Sequence, residues 1–284
     1  MLTIFTIPKP FKGKISFLQK NAINSWVLLH PSCEVILLGD EEGTSEVAKE
    51  LNVRHIKEIE QNEYGTPILS SAFKRVQQEA KNDIICYVNA DIILFPDILT
   101  AVGKLTYETY LIIGQRIDLQ IDFSIDYSSD LWKETLRALI SNYGRLHPPL
   151  GSDYFIFPKG TITNMPPFAV GRPGWDNWMI SYAKQTGIPV IDATKCITVV
   201  HQNHDYMHIP KGNGKTYEGP EAEKNRSLIE GKKLLTIEDT NWYLTEEGLK
   251  RRFNLLRRTR ATIGSYAVRI YNLGNSLKDW SKRI

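Results

Sequence analysis

The chain is poor in cysteine, has no long apolar run and carries little net charge. Its three cysteines, Cys33, Cys86 and Cys196, are odd in number and match no zinc or redox spacing. That excludes a closed disulfide framework and fits a reducing, cytoplasmic compartment. No stretch approaches the roughly 18–20 consecutive apolar residues of a membrane-spanning helix. The first apolar run, Leu2–Ile7, is too short for a secretory signal and has no basic residue before it. No G-x-G-x-x-G follows that run and no G-x-x-x-x-G-K-[ST] occurs anywhere, which counts against dinucleotide enzymes and P-loop NTPases. A net charge of +3 over 284 residues gives no electrostatic case for a nucleic-acid partner.

What is present is an ordinary globular composition, 42% apolar and 24% charged, in a chain long enough for one large domain with or without an appendage. The first 100 residues alternate. Leu2–Ile7, Glu34–Leu38, Val53–Ile59 and Asp83–Val88 read as strands; Ile15–Leu29, Thr44–Leu51 and Pro67–Ala80 read as helices. Thr44 is the predicted N-cap of its helix. The strands are continuous apolar runs, the pattern of a parallel sheet covered on both faces. Ligands of such sheets bind at the carboxyl ends of the strands. Beyond residue 110 the pattern is less regular: strands over Tyr110–Gln115 and Tyr154–Pro158, helices over Leu131–Leu139 and Trp175–Gln185, and one or two strands over Pro189–Val200.

The positive charge is confined to the end of the chain. Residues 245–284 hold 10 Lys/Arg and 3 Asp/Glu, leaving 25 and 29 in the first 244. From Leu249 onward apolar residues recur at helical spacing among arginines. A basic amphipathic helix there would lie on an anionic membrane, or pack on the preceding domain or a second subunit.

Asn89-Ala90-Asp91 ends the fourth predicted strand. A carboxylate at the tip of a central strand needs a partner, and a divalent cation supplies one; the competing reading is a helix cap. Gly151-Ser152-Asp153, Gly174-Trp175-Asp176-Asn177-Trp178 and Val200-His201-Gln202-Asn203-His204-Asp205-Tyr206 follow in order. This series, over about residues 1–230, resembles the GT-A glycosyltransferases of bacterial and viral type, with N-A-D in the place of D-x-D. The departure is the neutral Asn89.

The resemblance implies a Rossmann-like α/β domain with a mostly parallel central sheet flanked by helices, over residues 1–240, with a C-terminal helical basic tail over 241–284. Residues 1–100 would be the nucleotide-binding half and 101–240 the acceptor-binding half. The activity implied is metal-dependent transfer from a nucleoside-diphosphate sugar, UDP first, to a hydroxyl of a glycan or glycolipid acceptor, with inversion. Mn²⁺ or Mg²⁺ would be held by Asp91 and His201, with His204 the competing ligand. Asp176 would be the general base, kept ionised by its place at a helix N-terminus. Thr6, Pro8, Asp40, Asn89, Asp91, Asp153, Lys211 and Lys215 would contact the nucleotide sugar. For each of these a plain structural reading stands beside the functional one: a turn residue for Asp40 and Asp153, an N-cap for Asp176, a surface loop for the two lysines. Trp132, Trp175, Trp178 and Tyr154 are sugar platforms or core. Two other functions fit the same α/β half: a sugar-phosphate nucleotidyltransferase, and a non-catalytic carbohydrate-binding protein on a degenerate transferase fold.

Overall fold

The computed structural model describes residues 1–129, 131–204, 217–231 and 233–252. Lys211, Lys215 and the tail from residue 253 onward lie outside the described residues. The first half forms β1 (Leu2–Thr6), α1 (Gly13–Val27), β2 (Glu34–Leu38), α2 (Thr44–Glu50), β3 (Arg54–Ile56), α3 (Leu69–Glu79) and β4 (Ile84–Val88). The alternation predicted from the apolar runs is therefore present. Successive strand residues face opposite ways, so Leu2, Ile4, Cys86 and Val88 pack with Ala22 and Trp26 of α1. Phe5, Ile85 and Tyr87 pack with Leu69, Ala72, Phe73 and Val76 of α3 on the other face. The spacing of those four α3 residues makes one apolar stripe.

The cap of α2 differs from expectation. Its N-cap is Gly43, with φ of 84°, and Thr44 is the first helical residue. The Thr44 hydroxyl is buried instead of capping. Glycine is required at 43 twice over: the backbone is left-handed, and a Cβ would come within 2.9 Å of Phe11 Cβ.

The second half runs β5 (Ile92–Leu94), α4 (Asp97–Gly103), β6 (Leu111–Ile113), β7 (Ile117–Leu119), α5 (Leu131–Tyr143), β8 (Arg145–Leu146), β9 (Tyr154–Pro158), α6 (Trp175–Gln185), β10 (Val190–Asp192), β11 (Val199–Gln202), α7 (Pro220–Ser227), β12 (Trp242–Thr245) and β13 (Gly248–Arg251). Among the described residues the large sheet has the order β13-β12-β10-β6-β9-β4-β1-β2-β3. It is mostly parallel; β9 is antiparallel to β4 and to β6. The apolar run 189–200 is two strands in different sheets. β11 belongs to a small sheet of order β5-β11-β7-β8.

Two features of this topology place the site. β2 and β3 lie on one side of β1 and β4 on the other, so the chain reverses direction of travel between β1 and β4. Loops leaving the carboxyl ends of adjacent strands diverge there and open a crevice. The small sheet then brings β11 back to the crevice, with His201 opposite Ile92 on β5 and opposite Asp118 on β7.

The sheet continues past residue 240. β12 pairs in parallel with β10, Ile191 opposite Trp242. Met1–Lys250 forms one compact unit. Leu249, placed by spacing at the head of a helical stripe, lies in β13 and packs, partly buried, against the core cluster that includes Ala22 and Trp26; strand pairing with β12 overrides local periodicity at that residue. The remainder of the predicted basic helix lies outside the described residues. No helix among the described residues is long and apolar enough to cross a membrane.

Candidate functional site

Asp91 sits at the crevice because β4 ends at Val88 and the chain turns sharply, with the Ile92 N–H donating to the Asn89 carbonyl. Its backbone is fixed from β11: the Gln202 N–H and side-chain amide both donate to the Asp91 carbonyl, at 3.3 and 3.1 Å. His204 Nε2 donates to Asp91 Oδ2 at 2.9 Å, and His201 Nε2 stands 3.9 Å from the same oxygen. The loop after β1 adds a cation. Gln19 on α1 clamps Lys9 by two backbone hydrogen bonds of 2.7 and 2.8 Å, and Lys9 Nζ reaches to 3.9 Å from Asp91 Oδ2.

Burial opposes the charge on Asp91. The hydrogen bond from His204 and the charges of His201 and Lys9 outweigh it, and hold the carboxyl well below the usual carboxylate range. Burial lowers the pKa of His201, opposed by Asp91 and Asp153 and reinforced by Arg116.

The donor set suits a divalent cation. Asp91, His201 and His204 each offer a ligand atom within 4.8 Å of the others. Asp91 Oδ1 is buried with no hydrogen-bond partner among the described residues. An ionised oxygen left dry and unpaired is costly, and a metal would satisfy it. Two atoms bound to one Mg²⁺ at about 2.1 Å stand roughly 3–4 Å apart, as the two histidine nitrogens do from Asp91 Oδ2. Two imidazole nitrogens beside one carboxylate make a softer donor set than the all-oxygen shell usual for Mg²⁺.

A second cluster adjoins the first. Asn89 and Asp153 face each other across β4 and β9: the Asn89 N–H donates to the Asp153 carbonyl at 3.0 Å and its side-chain amide to Asp153 Oδ1 at 2.7 Å. Tyr87 donates to Asn89 Oδ1 at 3.2 Å. Arg116 donates to Asp153 Oδ2 at 2.7 Å and to Asp118 Oδ1 at 2.8 Å. His147 Nδ1 meets Asp118 Oδ2 at 2.7 Å. Asn89, expected to touch ribose or a metal-bound water, thus spends its side chain holding Asp153. Asp153, expected to take a sugar hydroxyl, has both oxygens engaged.

Asp176 is the second residue of α6, whose N-cap Gly174 has φ of 99°. Burial raises its pKa to about 6; backbone N–H groups at the helix start oppose that, and the neighbouring charge of Asp153 adds to it. The expectation that the helix N-terminus sets its ionisation is therefore corrected. Desolvation is the larger effect, and the group titrates just below neutrality. Asp176 fits only because residue 151 lacks a side chain: a Cβ on Gly151 would lie 2.3 Å from Asp176 Oδ2.

The other expected contacts are not gathered here. Thr6 is 0% exposed and its hydroxyl has no hydrogen-bond partner among the described residues; Pro8 is buried. Neither shows a surface for a nucleobase. Asp40 is exposed and pairs with Lys57 at 3.1 Å. The four aromatic platforms are core. Trp175 packs on Tyr87 and Phe155, Trp178 stacks on Tyr182, Trp132 packs on Phe95, and Tyr154 is fully buried.

Sequence reasoning missed Arg116, Asp118 and His147. The first two form R-x-D just after an apolar run, side chains on one face of a strand, and were visible as such. His147 carried no local signal.

No protein-family model matches the sequence, and no curated protein is significantly similar to it. Solved structures that resemble part of the chain include a mycobacterial protein, 14% identical over 73% of this chain and 69% of that one, with a TM-score of 0.44. Glucosyl-3-phosphoglycerate synthase of Mycobacterium tuberculosis is 16% identical over 72% of this chain and 73% of its own, with a TM-score of 0.42. The same enzyme in complex with Mn²⁺, UDP-glucose and phosphoglyceric acid is 14% identical over 74% of each chain, again at 0.42. At these TM-scores and identities the likeness carries no inference about family or activity.

Proposed function

We propose that the chain is a metal-dependent glycosyltransferase that moves a sugar from a nucleoside-diphosphate donor, UDP first, to a hydroxyl of a glycan or glycolipid acceptor. The observation that carries this is the occurrence together of Asp91, ionised and flanked by two histidines and Lys9, and Asp176, a carboxyl of raised pKa beside Asp153 of the adjoining cluster. Bound to Asp91 and His201, Mn²⁺ or Mg²⁺ would supply positive charge against a diphosphate leaving group. Lys9 adds a fixed positive charge on the same side. Asp176, ionised above about pH 6, takes the proton of the acceptor hydroxyl as it attacks the anomeric carbon. Attack from the face opposite the diphosphate inverts the configuration there. Arg116 and Asn89 hold Asp153 in place between the two groups.

Titration calorimetry of the full chain with UDP, with and without Mn²⁺, tests the donor half. Mn²⁺-dependent UDP binding that disappears in Asp91→Asn supports the reading. Equal binding with and without metal removes it.

A further inference from the structure

His201 Nδ1 lies between two oxygens. Asn203 Oδ1 is 3.4 Å away, and Asp118 Oδ1 is also at 3.4 Å. Asp118 accepts hydrogen bonds and, when ionised, donates none. It is held in that role from both sides, by Arg116 Nε on the oxygen that faces His201 and by His147 on the other. Arg116 is anchored in turn on Asp153. Asn203 is tied to β7 through its backbone N–H, which donates to the Leu119 carbonyl at 2.9 Å. The strand register alone puts Asp118 opposite His201.

A neutral imidazole carries one hydrogen, and the neighbours of each nitrogen decide where it sits. At Nδ1 both neighbours are acceptors, so that nitrogen is the donor. Nε2 then bears the lone pair, and it faces Asp91 Oδ2 at 3.9 Å. That lone pair is directed at the space a cation on Asp91 would occupy. The ring is 7% exposed and has little freedom to turn away.

We propose that Asp118 and Asn203 are positioning residues that fix His201 as its Nδ1–H tautomer and so present its Nε2 lone pair to a divalent cation on Asp91. The purpose assigned to that arrangement rests on the metal reading above; the tautomer itself does not. Arg116 and His147 are the struts that keep Asp118 in register. Oxygen acceptors behind metal-binding histidines commonly set ring orientation and ligand strength.

The test uses the full chain, metal-free and labelled with ¹⁵N-histidine, with the His201 ring assigned by its loss in His201→Gln. Long-range ¹H–¹⁵N spectra should show hydrogen on Nδ1 in the unsubstituted protein. In Asp118→Ala/Asn203→Ala the ring should shift toward a mixture with Nε2–H, and Mn²⁺ affinity, read by electron paramagnetic resonance, should fall about 10–100-fold. Asp118→Asn should restore both, because Arg116 Nε–H still requires an oxygen on the side that faces His201. Hydrogen on Nε2 in the unsubstituted protein overturns the proposal. So does a double variant with unchanged tautomer and unchanged Mn²⁺ affinity. If the double variant does not fold, Asn203→Ala and Asp118→Asn are compared with the unsubstituted protein, and the tautomer of the latter still decides. If the unsubstituted protein binds no Mn²⁺, the transferase reading falls and the spectra judge the tautomer separately.

Discussion

Asp91 ends a central strand and Asp176 opens a helix, and for both the largest influence on ionisation is burial. Their outcomes are opposite. Asp91 has His204 within hydrogen-bond distance and His201 and Lys9 just beyond, and remains a carboxylate far into the acid range. Asp176 has backbone N–H groups and the negative charge of Asp153 as neighbours, and its pKa rises to about 6. Two aspartates of one site are thus driven apart by their surroundings, which is how a permanent anion and a titrating base are made from one residue type. The first half of the chain contributes the first and the later half the second.

Removing the charge of Asp91 should have the largest effect. Asp91→Asn leaves the histidines without an anion to share, and metal-dependent turnover should fall below detection in a UDP-release assay. Residual metal-stimulated activity would mean that the cation is held elsewhere.

Asp176→Asn keeps the size of the side chain and removes the proposed base. Loss of a general base typically lowers the rate by about 10²–10⁴-fold. In the unsubstituted enzyme kcat/KM should rise with pH through about 6, where Asp176 ionises; the variant should lose that limb while binding UDP and Mn²⁺ normally. A variant with normal rate and an unchanged pH profile would make Asp176 structural.

Gly151→Ala probes the same group without touching it. The new methyl must displace the Asp176 carboxylate, and a misplacement of about 1 Å can cost up to about 10²-fold in rate. The expected signature is reduced kcat with unchanged Mn²⁺ affinity. On the other side of the comparison, His201→Ala should weaken Mn²⁺ binding by about 10–100-fold, taking the scale for disturbed outer-shell partners as a floor. Equal affinity in calorimetry would leave His204 as the working ligand.

The smallest expected effect is on stability. Asp176 binds its proton more tightly in the folded chain than in the unfolded one, so its contribution favours folding at low pH. That contribution is lost as pH rises from about 4, the unfolded value, to about 6. Above pH 6 the ionised group costs up to about 3 kcal/mol at roughly 1.4 kcal/mol per pKa unit. Asp176→Asn should therefore raise the melting temperature at pH 7.5 and leave it nearly unchanged at pH 4. Equal shifts at both values would show that charge is not the cause.

Much of the first half was legible because its signals are local. Continuous apolar runs such as Glu34–Leu38 and the stripe on α3 need no partner to be read. The second half hid its short strands: β5, β7 and β8 have two or three residues each, and pairing, not propensity, makes them strands. β13 contradicted a helical spacing that Leu249 seemed to begin. The site divides in the same way. Asp91, His201 and Asp176 could be chosen from motif order. Their environments could not, because Arg116, Asp118 and His147 approach from other strands, and Thr6 and Asn89 are claimed by the interior and by Asp153.

Residue order alone sets the alternating α/β half, the carboxylate at the end of β4 and the chemical types available around it, since each follows from the succession of residues along a few turns or strands. The tertiary structure alone decided which histidine nitrogen faces Asp91, that Asp153 is held by Arg116 and Asn89, and that Asp176 titrates near 6. Those properties depend on distance and desolvation between residues far apart in the chain, and neither quantity exists until the two sheets have closed around the crevice.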